Sequence, residues 1–356
     1  MKPQVYDVSQ TWLWNLQHAP DVAASVTVGS GATGVQDTTW SWCGFPISSP
    51  LGIPAGPLLD SRWLLHYAVL GFDVLVYKTV RSVARDCYPL PNLVPVGCSP
   101  LSDAGTTVCA TAKMQGSWAV SFGMPSQHPD IWRNDITVAR QGLAEGKVLV
   151  VSVVGTQELA ISDPAKSLDQ LAEDFATCAK WAMDSGAHGV EANFSCPNVA
   201  TADGQLYQQP EAAGIVAERI RSRIKDAPLV LKIGKVATVD QAAQLLTAVG
   251  PFINGLAMTN SIAAKVASED GTLMFDGHAR GVCGQATLAA SVAQTRMFRS
   301  AVNAAKLTLD LIGVGGISSA MDVQEYLLAG ATSVGIATAA MTDPQIALRI
   351  RNKPCF

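Results

Sequence analysis

The segment of residues 191–198 concentrates the side chains best suited to chemistry. It reads Glu-Ala-Asn-Phe-Ser-Cys-Pro-Asn and follows an apolar run typical of the end of a buried strand. The amides of Asn193 and Asn198 can bind the polar edge of a planar heterocycle, and the thiol of Cys196 can exchange a proton with that ring. The alternative interpretation is a small buried cysteine in an ordinary turn.

Two lysines fall within otherwise apolar, strand-like runs. Lys78 lies near the end of one run, and Lys232 lies within Val-Leu-Lys-Ile at 230–233. An ammonium group in an apolar strand is costly unless its charge has a partner. Together with the amide of Asn260, which ends another run, the lysines predict a bound anion or electron-rich ring. The alternative is that each lysine points outward, with its charge in water.

A glycine-rich turn near the C-terminus is a candidate phosphate site. Residues 313–317 read Gly-Val-Gly-Gly-Ile and link a strand-like run to a helix-like one, and Thr338 follows the next run. Glycines let backbone amides approach a phosphate closely, and a helix N-terminus favours its charge. A plain strand-to-helix turn is the alternative. The segments 121–125 and 281–284 could add backbone contacts to a ligand or be turns themselves.

The remaining pattern supplies a scaffold that can bring these residues together. Short apolar runs rich in Val, Ile and Leu are typical of parallel strands buried on both faces. They lie at 51–55, 73–79, 147–154, 188–193, 228–233, 253–260, 308–313 and 332–337. Amphipathic, helix-like segments follow most of them, at 61–70, 167–185, 210–225, 239–249, 285–305, 319–329 and 343–351. Ser167 and Gln170 form a capping-box pattern that predicts a helix start at Ser167.

This alternation predicts an α/β protein whose strands close into a TIM (β/α)8 barrel. A doubly wound open sheet is the alternative, but no GxGxxG follows an early strand. Long insertions at 80–146 and 261–284 follow strand ends, so they belong at the C-terminal face, where barrel enzymes build their sites. The first insertion is predicted to form extra strands over the barrel mouth.

Two domains are expected: an N-terminal extension over 1–46 and a barrel domain over 47–356. The extension carries four tryptophans, Trp12, Trp14, Trp40 and Trp42. We expect their rings to pack the extension against the barrel. An exposed aromatic binding surface is the alternative.

Composition excludes several classes of protein. The 356 residues are 48% hydrophobic and 15% charged, with a net charge of −4 and no basic tract, so nucleic acid is not an expected partner. No membrane association is expected, because no run of 18 apolar residues is present. The N-terminus lacks signal-peptide features, which predicts a cytoplasmic location. The 8 cysteines include no CxxC pair, so no metal site is expected. A disulfide framework does not fit a cytosolic chain of this length.

The motifs, taken in order, resemble the dihydroorotate dehydrogenases, a family of flavin-dependent barrel enzymes, and the related domain of dihydropyrimidine dehydrogenase. The resemblance extends from about residue 48 to the C-terminus. It is carried by segments at 50–56, 77–79, 121–125, 193–198, 231–233, 259–261, 281–284 and 313–317.

The resemblance implies FMN as the cofactor and a dihydropyrimidine as the small-molecule substrate. The implied flavin contacts are Ala55, Gly56, Lys78, Thr79, Asn193, Lys232 and Ser261, with Gly284, Gly315, Gly316 and Thr338 at the phosphate. The implied substrate contacts are Lys78, Ser121, Gly123, Met124, Asn193, Asn198, Asn260 and Ser261. Cys196 matches the catalytic base of the soluble class, and Lys78 and Lys232 complete the catalytic set. A homodimer is the habit of the family.

One departure from the family pattern puts the identity of the substrate in question. Val120 stands where the family usually has an asparagine, so one polar contact to the substrate is missing. An FMN-dependent oxidase or reductase of a different cyclic substrate is therefore a second hypothesis. A third is a non-redox, phosphate-binding barrel, such as an aldolase with Lys232 as its Schiff-base residue.

Overall fold

Eight parallel strands close into a barrel in the computed structural model, which describes residues 5–23, 40–97, 99–101, 105–156, 163–195 and 202–353. The fifteen described strands are β1 Trp40–Trp42, β2 Phe45–Ile47, β3 Leu51–Ile53, β4 Val74–Val80, β5 Leu93–Pro95, β6 Thr107–Cys109, β7 Ser117–Val120, β8 Val148–Val153, β9 Gly189–Asn193, β10 Leu229–Lys232, β11 Gly255–Met258, β12 Ile262–Ala267, β13 Arg280–Gly284, β14 Asp310–Val314 and β15 Ser333–Gly335. Around the barrel the order is β3-β4-β8-β9-β10-β11-β14-β15, with β15 pairing back to β3.

The closed barrel confirms the predicted fold and contradicts the open-sheet alternative. Each of the eight predicted strand-like runs overlaps one barrel strand, and β4 and β14 each extend one residue beyond the predicted end. In β4 and β8 every residue is buried, and their paired segments are almost entirely Val and Leu. Such strands pack helices on the outside and fill the barrel inside, which explains their continuous apolar character.

Helices follow most barrel strands, largely as predicted. The described α-helices of the whole chain are α1 Trp12–Gln17, α2 Ser61–Val69, α3 Pro129–Gly142, α4 Pro164–Asp184, α5 Pro210–Ile224, α6 Val239–Val249, α7 Leu288–Ala304, α8 Ala320–Leu328, α9 Thr338–Thr342 and α10 Ile346–Arg351. The predicted start of α4 at Ser167 is wrong. Asp163 caps this helix by accepting hydrogen bonds from the backbone N–H groups of Ala165 and Lys166. Pro164 then takes the first helical position, where its missing N–H costs nothing.

The two long insertions combine into one small sheet beside the barrel mouth. Its strand order is β5-β7-β13-β12-β6, so strands from the first insertion flank a hairpin from the second. The prediction of extra strands is confirmed. The first insertion also contains α3, which was not predicted.

The described residues of the N-terminal extension pack against the barrel in two places. Trp12 and Trp42 are buried, and Trp40 packs against the same apolar cluster as Trp42. These three rings confirm the predicted packing role. Trp14 does not share it, because its ring stacks on His18 with a centroid separation of 4.0 Å. Among the described helices, none is long and apolar enough to cross a membrane.

Candidate active site

A pocket lies where the carboxyl ends of the barrel strands meet the small sheet, with about 920 Å³ of empty space that is partly open to solvent. The predicted site residues that line it are Ala55, Gly56, Lys78, Lys232, Asn260, Gly284, Gly315, Gly316 and Thr338. The barrel therefore brings together residues that are far apart in sequence.

Both predicted lysines lie inside the structure and reach this pocket. Lys78 and Lys232 are 8% and 3% exposed, so the outward-pointing alternative is wrong for both. The ammonium nitrogen of Lys232 donates to the carbonyl oxygen of Ala55 at 3.5 Å. That of Lys78 lies 5.8 Å from the centroid of the Trp12 ring and 5.9 Å from that of Phe122. Two buried positive charges at one mouth favour an anionic ligand.

The glycine turn after β14 borders the same pocket. Gly315 and Gly316 have φ angles of +130° and +77°, which side chains rarely tolerate. A Cβ atom on Gly316 would lie 2.6 Å from the Cβ of Leu288, so only glycine allows this close packing. The hydroxyl of Tyr326 donates to the Gly315 carbonyl at 2.7 Å and fixes the turn. The half-buried backbone of this turn lines the pocket together with Thr338, the first residue of α9, and such an arrangement suits a phosphate group.

Asn193 occupies the end of β9 beneath the pocket. Its side-chain oxygen accepts from the backbone N–H of Ser195 at 3.1 Å. Its amide nitrogen lies 3.5 Å from the Thr79 hydroxyl and 3.7 Å from the Met124 sulfur. The Thr79 hydroxyl is in turn 2.9 Å from that of Ser152. The predicted residues Thr79 and Asn193 are therefore buried together, with the half-buried Met124 in contact with Asn193.

The end of β11 faces the end of β9 across β10. The Asn260 amide donates to the Ser195 carbonyl at 2.6 Å, and the Cys283 thiol donates to the Asn260 carbonyl at 3.6 Å. Burial raises the pKa of Cys283 to about 11, although the positive charge of Lys232 opposes this shift. Ser261, which follows Asn260, is buried. The predicted residues Cys196 and Asn198 lie outside the described residues.

The end of β7 and the residues that follow it present alternate side chains to the pocket. Val120 and Phe122 line it, whereas Ser121 does not. The Ser121 hydroxyl instead accepts from the Arg280 guanidinium at 2.9 Å. This follows from the strand period of two, which directs neighbouring side chains to opposite faces. Gly123 packs against the ring of Tyr88, where a Cβ atom would lie 2.6 Å away.

Several pocket residues were not predicted from the sequence. Tyr6 and Trp12 come from the N-terminal segment, and Leu93 and Trp118 from the small sheet. Burial raises the pKa of Tyr6 well above its usual value. The only signal for Trp12 was the cluster of tryptophans, which we assigned to packing. Together these side chains give the pocket an aromatic and apolar wall opposite the strand ends.

Comparison with known proteins assigns this architecture to one family. A family model described as dihydroorotate dehydrogenase matches residues 121–353. A Dictyostelium discoideum protein named dihydroorotate dehydrogenase is 30% identical over 365 residues, covering 98% of this chain and 96% of that protein. A Bacillus cereus (strain B4264) protein named as the catalytic subunit of dihydroorotate dehydrogenase B (NAD(+)) is 29% identical over 176 residues, covering 49% and 54%.

A solved structure has the same fold. Ligand-free DHODH from Eimeria tenella aligns with a TM-score of 0.69 and 16% identity, covering 93% of this chain and 92% of that one. At this identity the likeness shows the fold alone.

Proposed function

The chain belongs to the dihydroorotate dehydrogenase family, and from this membership we propose that it oxidises dihydroorotate, or a closely related dihydropyrimidine, to the unsaturated ring. Enzymes of this family are FMN-dependent oxidoreductases that act on CH–CH bonds. The observation that carries the proposal is the convergence of Lys78, Lys232, Asn260 and the glycine turn on one pocket.

The residues around the pocket fit FMN. The backbone at Gly315, Gly316 and Gly284, with Thr338, would hold the phosphate. A Cβ atom on Gly56 would meet no atom of the described residues within 4 Å, so the backbone there borders open pocket space. The ring would rest among the remaining predicted contacts, which are Ala55, Gly56, Lys78, Thr79, Asn193, Lys232 and Ser261. When bound, FMN supplies the acceptor for the hydride that leaves the substrate ring.

The chain's own groups would bind the substrate and move one proton. Lys78 would bind the anionic group of the substrate, with the amides of Asn193, Asn198 and Asn260 on its polar edge. Cys196, as its thiolate, would take the proton from the carbon next to the ring carbonyl. Lys232 would offset negative charge that develops at the cofactor ring.

A second candidate keeps the cofactor and changes the substrate. It is favoured by the corner that Val120 shares with Leu93, Trp118 and Phe122, where family members have an amide and this chain presents apolar side chains. A cyclic substrate that is less polar than dihydroorotate would fit this corner. Family membership gives no support to the non-redox alternative with Lys232 as a Schiff-base residue.

A steady-state assay separates the two candidates. Purified holoenzyme would be incubated with dihydroorotate or with less polar cyclic amides and an artificial electron acceptor, and products would be identified by mass spectrometry. We expect orotate from dihydroorotate, and Cys196→Ser should abolish most of this turnover. Cys109→Ser, which changes an exposed thiol, is the matched control. Turnover of the other amides without orotate formation would favour the second candidate.

Location and assembly are part of the proposal. The described cysteines Cys43, Cys87, Cys109, Cys178 and Cys283 are free thiols, which supports a reducing compartment such as the cytoplasm. A homodimer is proposed because it is the usual assembly in this family. The division into an extension over 1–46 and a barrel domain over 47–356 is likewise proposed.

A further inference from the structure

The N-terminal segment, residues 5–17, contributes two aromatic side chains to the pocket. Tyr6 and Trp12 line it and are 6% and 7% exposed. The family model begins its match at residue 121, so it assigns no role to this segment. Both rings therefore lie at the mouth of the barrel.

The segment is fixed to the barrel by hydrogen bonds from α2. The Trp63 indole nitrogen donates to the Asn15 carbonyl at 3.2 Å, and the Arg62 guanidinium donates to the Leu16 carbonyl at 2.5 Å. The side chain of Asn15 also bonds to the backbone of Asp7, which holds the chain before α1. Because α1 is only one or two turns long, these contacts rather than its own helical propensity keep it in place.

The ammonium group of Lys78 lies over two aromatic rings, those of Trp12 and Phe122. The two centroid distances, 5.8 and 5.9 Å, lie within the range of cation–π attraction. Tyr6 supports this arrangement by contacting the Phe122 ring edge-on, with centroids 6.1 Å apart. Ring faces attract the ammonium without using any of its N–H donors.

We propose that the N-terminal segment completes the binding site and that Trp12 is a positioning residue, which holds Lys78 against Phe122 so that its ammonium can bind an anionic ring ligand. This inference rests on the proposed function, because orotate is its probe. Removal of the Trp12 ring would let water reach the ammonium and would widen the range of positions that Lys78 samples. The loss should fall on anion binding rather than on FMN binding.

The test measures orotate affinity through the change in absorbance of the bound flavin. Trp12→Leu should weaken orotate binding about tenfold, and Trp12→Phe, which keeps a ring, should recover most of it. Trp14→Leu is the matched control, because Trp14 lies on the same helix but stacks on His18. FMN content should be alike in Trp12→Leu and Trp14→Leu, whereas the melting temperature should be lower in Trp12→Leu because Trp12 is buried. Equal orotate affinity in these two variants would overturn the inference.

Phe122→Leu tests the same inference at the second ring that contacts the ammonium. Since Phe122 lies outside α1, its replacement does not depend on how the helix folds. We expect a similar loss of orotate affinity, and wild-type affinity would contradict the proposal. If the wild-type holoenzyme bound no orotate, the proposed function would fail instead. The inference would then be decided by the crystal structure of Trp12→Leu, where a Lys78 ammonium still against the Phe122 ring would overturn it.

Discussion

The side-chain amide of Asn260 donates a hydrogen bond to the backbone carbonyl of Ser195, with the two atoms 2.6 Å apart. The bond joins the ends of β11 and β9 across the intervening strand β10. Ser195 directly precedes Cys196 in the sequence. The amide therefore fixes the point at which the chain leaves the barrel toward the proposed base.

Asn260→Ala should slow flavin reduction by dihydroorotate. Loss of one hydrogen bond, worth about 1 kcal/mol, corresponds to roughly fivefold, and a lost substrate contact would add to it. The rate of flavin reduction in a single turnover measures this effect. Asn303→Ala serves as the control, because it removes an exposed amide near the C-terminal end of α7. A rate for Asn260→Ala equal to that of this control would show that the hydrogen bond between Asn260 and Ser195 has no role in flavin reduction.

Val120→Asn should improve the use of dihydroorotate. It places an amide where the family usually has one, at a pocket position that is apolar here. One added hydrogen bond predicts a gain of about five- to tenfold in kcat/KM. Val120→Leu keeps the position apolar and should show no gain. An unchanged or lower kcat/KM for Val120→Asn would favour the less polar substrate of the second candidate.

FMN should stabilise the apoprotein more than riboflavin does. A ligand that binds only the folded state raises the free energy of unfolding, by about 2.7 kcal/mol at one hundred times its Kd. Riboflavin lacks the phosphate that the turn at Gly315 and Gly316 would hold. Melting temperatures measured against the concentration of each ligand should therefore rise further with FMN. Matching curves would contradict a phosphate site at this turn.

The pH dependence of flavin reduction should report the thiol of Cys196 and not that of Cys283. A free thiol has a pKa near 8.5, so the rate should rise with pH as the thiolate at 196 forms. Burial raises the pKa of Cys283 from 9.0 to about 11, so this group stays protonated over the same range. Cys283→Ser should keep the alkaline rise. Its disappearance in this variant would transfer the base role to Cys283.

The raised pKa of Cys283 should also make the stability of the protein depend on pH. The unfolded chain loses the Cys283 proton near pH 9.0, whereas the folded chain keeps it up to about 11. The contribution of this thiol is therefore complete below pH 9 and is lost as the pH rises through that window. Denaturant unfolding at pH 8 and pH 10.5 should show a smaller loss of stability in Cys283→Ser than in the wild type. A loss of equal size in both would contradict the raised pKa.

The barrel could be predicted from the sequence because each of its strands is marked by its own short run of apolar residues. Continuous apolar runs such as Val148–Val153 need no knowledge of their partners to be identified as buried strands. The pocket residues Lys78, Lys232 and Asn260 were identified for a similar reason, since a polar group in an apolar run stands out. α3 was missed although Trp132, Ile136 and Ala139 show helical spacing, because the surrounding insertion is rich in turn-forming residues.

The small sheet and the aromatic wall could not be predicted in the same way. β7 pairs with β13 across more than 150 residues, and nothing in either segment specifies that partner. The role of Trp12 depends on a contact with Lys78 that only the folded chain creates. The start of α4 at Pro164 shows a simpler error, because Asp163 and Pro164 form a cap signal that precedes the one at Ser167.

Anaerobic titration of the purified holoenzyme with dihydroorotate tests the central claim most directly. We expect the absorbance of the oxidised flavin to disappear in proportion to added dihydroorotate, with one orotate formed for each flavin reduced. Cys196→Ser should remain yellow but be bleached far more slowly. A flavin spectrum that excess dihydroorotate leaves unchanged in the wild-type holoenzyme would show that the protein does not oxidise dihydroorotate.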